Sequence, residues 1–185
     1  MQHLVGTRRV KLCYTDGSGE LESACKTLGV AHDVSDPGIP ATNGIIERTV
    51  GIVKQGARTV LYRAGFPPCF WCRAAAHYCL MINCDNTRGE SSYYKTHDID
   101  FDGLCIPFGA RVAFLPTETH GDTTSTWDTS GNIGVFAGYD LSTGYRWSGR
   151  YLVWDLADFI NVPLLTTKVV LGRLASPHCT KQVKI

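Results

Sequence analysis

Proline and glycine punctuation sets the strongest constraint on how this chain of 185 residues can fold. The run Ser35-Asp36-Pro37-Gly38-Ile39-Pro40 is an extended loop, because each proline pushes the residue before it out of the helical region. Gly65-Phe66-Pro67-Pro68 stops any helix that reaches it. Between these breaks Ile46, Val50, Val53, Ala57, Val60, Leu61 and Ala64 recur at three- and four-residue steps. That spacing predicts one amphipathic helix over 43–64, with Asn43 as its N-cap. Beyond the second break, residues 70–82 are apolar nearly all round and predict a second, buried helix.

The flanking segments read differently. Residues 10–15 are rich in β-branched and aromatic side chains and predict a buried strand, stopped by the turn residues Asp16-Gly17-Ser18-Gly19. Residues 21–28 predict a short helix ended by Gly29, and 30–34 a second strand. Residues 83–97 read as a loop. From residue 100 onward the pattern changes to strands at 110–115, 134–139 and 150–154, separated by Gly, Ser, Thr and Asp clusters, with a polar connection at 117–132. The last two strands predict a hairpin with a long loop. The expected organisation is an α/β segment over 1–83 followed by a small β-rich module over 84–185.

Charge is informative only once it is divided along the chain. Eighteen Lys and Arg against seventeen Asp and Glu give a net charge of +1, which taken alone argues against a nucleic-acid partner. Between Gly44 and Arg73, however, Glu47 faces Arg48, Lys54, Arg58, Arg63 and Arg73 as the sole acid. After Asp158 there is no acid, while Lys168, Arg173, Lys181 and Lys184 remain. Two basic segments therefore enclose an acidic middle. No apolar run is long enough to span a bilayer. Arg8, Arg9 and Lys11 fall where a secretion signal needs its apolar stretch, so a nuclear or cytoplasmic, reducing setting is expected. Cys13, Cys79 and Cys105 sit in apolar runs, as buried thiols do. Cys69, Cys72, Cys79 and Cys84 are spaced by Phe, Trp, Ala and Tyr as in a packed helix, and read as structural thiols rather than a zinc set.

Two carboxylates stand out. Asp16 follows a strand, at the edge where open α/β sheets place ligands, although Asp-Gly is also an ordinary turn. Glu47 shares a helical stripe with Lys54 and Arg58, each about 20° away at 100° per residue, although a solvated amphipathic helix carries such charges too. A strand-end Asp and a helix-borne Glu could share divalent cations, which take hard oxygen ligands. Paired metals polarise a phosphate and activate a water or hydroxyl. Lys54 and Arg58 would then hold a nucleic-acid backbone beside that centre.

The motifs resemble a known pattern, in order. Thr15-Asp16-Gly17-Ser18-Gly19-Glu20 resembles the stretch around the second catalytic Asp of retroviral-type integrases, and Gly29-Val30-Ala31-His32 the G-I-x-H that follows it. Ser35-x-Pro37-x-x-Pro40-x-x-Asn43-Gly44-x-x-Glu47-Arg48 resembles the segment that carries the catalytic Glu. Ala57-Arg58, Ala64-Gly65-x-Pro67, Phe70-Trp71, Pro107-Phe108-Gly109 and Gly134-Val135-Phe136-Ala137-Gly138-Tyr139 are similar to later copia-type motifs. The resemblance, to a copia-type LTR-retrotransposon integrase, covers most of the chain.

It implies the carboxyl-terminal portion of an RNase H-like catalytic core over 1–83, with the β-rich module behind it. It implies Asp16 and Glu47 as catalytic, metal-binding carboxylates, Mg²⁺ or Mn²⁺ as cofactor, and Asn43, Gly44, Arg48, Lys54 and Arg58 as DNA-binding residues. The expected partners are element-end and target DNA and further copies of the chain, with no membrane. His32 and Ser35 are expected to be structural or peripheral. Departures accompany the resemblance: Ala41-Thr42 replaces the usual Gln pair, and none of the fifteen residues before Asp16 is acidic, so the first Asp of the triad is absent. The 185 residues alone are therefore expected to show little strand transfer. The alternative is a non-catalytic nucleic-acid-binding or assembly module, and the blandest reading a soluble α/β domain in which every motif is structural.

Overall fold

The structure, a computed structural model, describes residues 9–15, 17–35, 44–116, 131–162, 164 and 176–185. Asp16, Asn43, the prolines at 37 and 40, most of the polar connection (117–130) and the tail cations Lys168 and Arg173 lie outside the described residues.

The chain opens with a βαβ unit. β1 (Leu12–Thr15) and β2 (Ala31–Val34) pair in parallel, Cys13 opposite His32 and Thr15 opposite Val34. Parallel neighbours need a crossover, and α1 (Gly19–Leu28) supplies it. Thr15 Oγ1 and His32 Nε2 are hydrogen-bonded at 2.8 Å, and Ser35 N–H donates to Thr15 O at 2.9 Å, tying the carboxyl end of β1 to β2. The strand expected to be buried is not. Leu12, Tyr14 and Val34 are exposed, and Cys25 is the unit's fully buried residue. Parallel sheets are ordinarily covered on both faces, and a two-stranded sheet with one short helix covers little of its own surface.

α2 (Gly44–Ala64) and α3 (Trp71–Cys84) follow, joined through a 3₁₀ turn at Pro68–Phe70. Gly65, at φ 68°, ends α2. Its N–H bonds to Tyr62 O at 3.2 Å and Phe66 N–H to Leu61 O at 3.1 Å, the paired bonds of a left-handed helix cap. The helices approach closely at Gly56, where an added Cβ would run into the Tyr78 ring. The apolar stripe of α2 is only half used: Ala57 and Leu61 are buried, while Ile46 and Val50 are exposed. α3 buries Ala74, His77 and Leu80, but Trp71 and Ile82 are exposed, so it is not enclosed all round as its composition predicted.

The second half is a five-stranded sheet in the order β6-β5-β4-β3-β7, all neighbours antiparallel. Its strands are β3 (Arg111–Phe114), β4 (Asn132–Ser142), β5 (Arg146–Asp155), β6 (His178–Thr180) and β7 (Val183–Lys184). Both faces are covered. Phe136, Tyr139, Tyr151 and Val153 join Leu80, Tyr93, Ile106, Val112 and Phe114 in one cluster. Ala137 and Trp154 join Ala57, Leu61, Phe70, Ala74 and Phe108 in another. The second cluster takes residues from α2 and α3 as well as from the sheet, so the apolar core runs across position 83. Double-sided burial accounts for the near-continuous apolar runs of β4 and β5. Tyrosine hydroxyls pin the segment before β3: Tyr139 donates to Leu104 O at 2.8 Å and accepts from Ile106 N–H at 3.0 Å, and Tyr151 accepts from Leu104 N–H at 2.9 Å.

Several readings are corrected here. The segment 83–97 is not all loop: α4 (Ser92–His97) lies in it, capped by Ser91 Oγ, which accepts from Tyr94 N–H at 3.0 Å. The β4–β5 hairpin has a tight three-residue turn, because Gly144 and Tyr145 both adopt positive φ (83° and 63°) and let pairing run to Ser142 opposite Arg146. β6 and β7 are too short to show a period, and the sheet edges define them. Cys105 is exposed and Cys13 and Cys79 are half-buried, whereas Cys25 is the enclosed thiol. Among the described residues no helix is long and apolar enough to cross a membrane.

Candidate functional site

α2 positions every described member of the site predicted from sequence. Glu47 lies in its first turn, where the helix dipole favours a carboxylate. Arg48, Lys54 and Arg58 are exposed with it, and Gly44 begins the helix half-buried. At 100° and 1.5 Å per residue, Lys54 and Arg58 sit about 10 Å and 16 Å along the axis from Glu47, on the same stripe. Gly44 and Arg48 flank that stripe on the side away from the apolar face. Among the described residues none of these charges is engaged in an ion pair. The arrangement is one exposed carboxylate with a cationic track behind it.

The stripe borders the uncovered half of α2's apolar face, where Ile46 is 50% and Val50 is 44% exposed. The βαβ unit has its own uncovered apolar residues, Leu12 and Val34. Asp16 directly follows β1, whose end the Thr15–His32 bond holds; Asp16 and Asn43 themselves lie outside the described residues. His32, expected to be structural or peripheral, is thus the partner of the residue preceding the candidate Asp.

The donor chemistry suits a hard cation, since both candidate ligands are carboxylates. Among the described residues Glu47 is the one candidate ligand, and no group of three or more His, Cys, Asp or Glu comes together. Cys69, Cys72, Cys79 and Cys84 accordingly do not converge as a zinc set, and all are free thiols. Burial raises the pKa of Cys69 and Cys79 and pushes the Cys84 thiol up to about 12, which disfavours the reactive thiolate at these half-buried positions.

Sequence reasoning passed over a second cluster. A recess of about 270 Å³ lies between the end of α3, α4 and the β4–β5 turn, lined by Asn83, Tyr93, Thr96, His97 and Tyr145 among others. Its members come from three separate elements, so no local spacing marks them.

No family profile matches the chain. It is 32% identical over 160 residues to the retrovirus-related Pol polyprotein from transposon TNT 1-94 of Nicotiana tabacum, a match covering 80% of this chain and 11% of the polyprotein. The chain thus spans about a ninth of that relative's length. Among solved structures it is similar to a chain in the cryo-EM structure of the simian T-cell lymphotropic virus intasome in complex with PP2A regulatory subunit B56 gamma. That likeness has 17% identity and a TM-score of 0.40, over 95% of this chain and 58% of that one. At that TM-score it is too loose to assign a fold. The sequence kinship stands on its own: over most of its length the chain is similar to one part of a retrovirus-related transposon Pol polyprotein.

Proposed function

We propose that the chain serves metal-dependent DNA strand transfer, as the carboxyl-terminal portion of an RNase H-like integrase core with a β-rich module behind it. The observation that carries this reading is α2, which presents Glu47 to solvent with Lys54 and Arg58 aligned behind it. Two further features support it. The motif order runs through most of the chain, and the βαβ unit and α2 both leave apolar residues uncovered, as parts of a larger fold do.

In this reading Asp16 and Glu47 hold Mg²⁺ or Mn²⁺ through carboxylate oxygens, and the bound metal supplies polarisation of the scissile phosphodiester. Lys54 and Arg58 hold backbone phosphates along the helix, and Arg48, with the backbone at Asn43 and Gly44, contacts DNA at the helix start. The 185 residues contain two of three expected carboxylates, so strand transfer by this polypeptide alone stays near background. Self-association through exposed apolar residues such as Ile45 and Trp71 belongs to the same proposal.

The test combines DNA binding across a salt series with a Mg²⁺-dependent joining assay. Affinity should fall steeply with salt, and Lys54→Ala should reduce the slope by about one. A polypeptide that also supplies an upstream strand-end Asp should join DNA, and Glu47→Gln should abolish joining. Robust joining by the 185 residues that survives Glu47→Gln would sink the reading. DNA binding that is lost with Lys54 and Arg58 but indifferent to Asp16 and Glu47, with no joining in any context, would instead favour a non-catalytic binding or assembly module. The exposed apolar face of α2 is the observation that keeps this second reading in play.

A further inference from the structure

We infer that the recess between α3, α4 and the β4–β5 turn is a binding site for a single unstacked nucleobase. It lies apart from the α2 stripe and does not depend on Glu47. The first observation is Tyr145. Its φ of 63° is a conformation that a residue with a bulky side chain rarely adopts, and Gly144 before it has φ 83°. The turn needs a left-handed residue there, but Gly or Asn would fill that need with less strain. The ring is 45% exposed and lines the recess. Strain of this kind is retained where a side chain is needed for contact.

The second observation is an aromatic pair that lines the same recess. Tyr93 is 4% exposed, its hydroxyl accepts from Trp147 N–H at 3.1 Å, and its ring centroid lies 4.6 Å from that of His97. Burial and the nearby Arg146 lower the His97 pKa against the opposing pull of Asp98, which favours the neutral ring. The third is Asn83, at the end of α3. Its carboxamide makes no hydrogen bond to the described residues and offers a donor and an acceptor side by side. That pair matches the edge of a base, whereas the rings accept any base face. Arg146, next to Tyr145 in the chain, is exposed and makes no ion pair among the described residues, so it can meet a phosphate. Aromatic rings and a carboxamide lining one recess, with a guanidinium on the residue after Tyr145, match base and phosphate, whether the nucleotide is free or part of a single strand.

The test is an amide NMR titration of the 185-residue polypeptide with adenosine 5′-monophosphate, a single-stranded oligonucleotide, a blunt duplex and ribose 5-phosphate. Saturable shifts confined to residues 79–97 and 143–147 are expected with the first two at or below about 1 mM, and none with ribose 5-phosphate. Tyr145→Gly should raise the Tm while weakening binding about tenfold or more, a pairing that a purely structural tyrosine would not produce. Asn83→Ala should weaken binding with the Tm unchanged. Tighter binding of the single strand than of the mononucleotide identifies a strand-borne base, and the reverse a free nucleotide; both uphold the base site. Equal shifts with ribose 5-phosphate, no shifts in these residues, a preference for the blunt duplex, or full binding by Tyr145→Gly would each overturn it.

Discussion

His77 makes the fold sensitive to acid in a defined window. It lies on the buried face of α3, 7% exposed, stacked on Tyr139 with centroids 5.8 Å apart and planes at 15°, with Phe108 and Phe136 also against it. Its Nδ1 is buried and has no hydrogen-bond partner. Burial pushes the imidazole pKa from 6.5 down to about 4. Above pH 6.5 the ring is neutral in both folded and unfolded chains and has no pH-dependent effect. As pH falls from 6.5 towards 4, the unfolded chain takes up a proton that the folded chain refuses, and stability is lost at about 1.4 kcal/mol per unit. The full window of roughly 2.5 units amounts to about 3 kcal/mol, which for a chain of this size is roughly 6–12 °C in Tm. His77→Phe removes both the titration and the orphan nitrogen, and a small cavity of about 20 Å³ beside the ring, also lined by Arg73 and Leu152, leaves room for the larger ring. The assay is thermal unfolding of both proteins from pH 7.5 to pH 4. The Tm difference in favour of His77→Phe should widen below pH 6.5, while other groups titrate alike in both. Parallel curves would refute the argument, because a histidine that protonates freely in the fold cannot be enclosed by these rings.

Two further substitutions test the packing. Gly56→Ala ordinarily strengthens a helix by about 1 kcal/mol, but here its Cβ would meet the Tyr78 ring, so unfolding measurements should show a net loss of about 1–3 kcal/mol, largely recovered in Gly56→Ala with Tyr78→Ala. Tyr139→Phe removes the hydroxyl that bridges Leu104 O and Ile106 N–H, leaving a buried donor unmet, and should cost about 1–3 kcal/mol in denaturant titration. Glu47→Gln should cost no more than about 1 kcal/mol, the helix-dipole effect of an exposed first-turn carboxylate that makes no ion pair among the described residues, so a complete loss of joining reports chemistry rather than folding.

How much of this was legible varied with the range of the interaction. α1, α2 and α3 were readable because their caps and periods are local: Gly29, Gly65 and the prolines act on their immediate neighbours. α4 was missed although Ser91 is an ordinary N-cap, because the six residues it introduces are too few to show a period. The tight hairpin was missed because Tyr145 is not a residue that ordinarily marks a left-handed turn. For the candidate site, the stripe of Glu47, Lys54 and Arg58 followed from helix geometry alone, and α2 carries it as expected. The recess of Asn83, Tyr93 and Tyr145 did not, since its residues are brought together by the docking of α3 on the sheet.

The sequence by itself determined the glycine-capped ends of α1 and α2, the kinship to a retrotransposon Pol polyprotein and the charged stripe, since each depends on residues within a few turns of one another or on their order. Tertiary structure alone decided which apolar faces are used. Val53, Ala57 and Leu61 belong to the same periodic stripe as Ile46 and Val50, and nothing in their spacing separates them. They differ because the sheet and α3 reach the carboxyl-terminal half of α2 and leave the amino-terminal half, beside Glu47, in contact with solvent. Burial depends on what lies opposite a side chain, and for this helix the opposing residues are as remote in sequence as Phe108, Ala137 and Trp154.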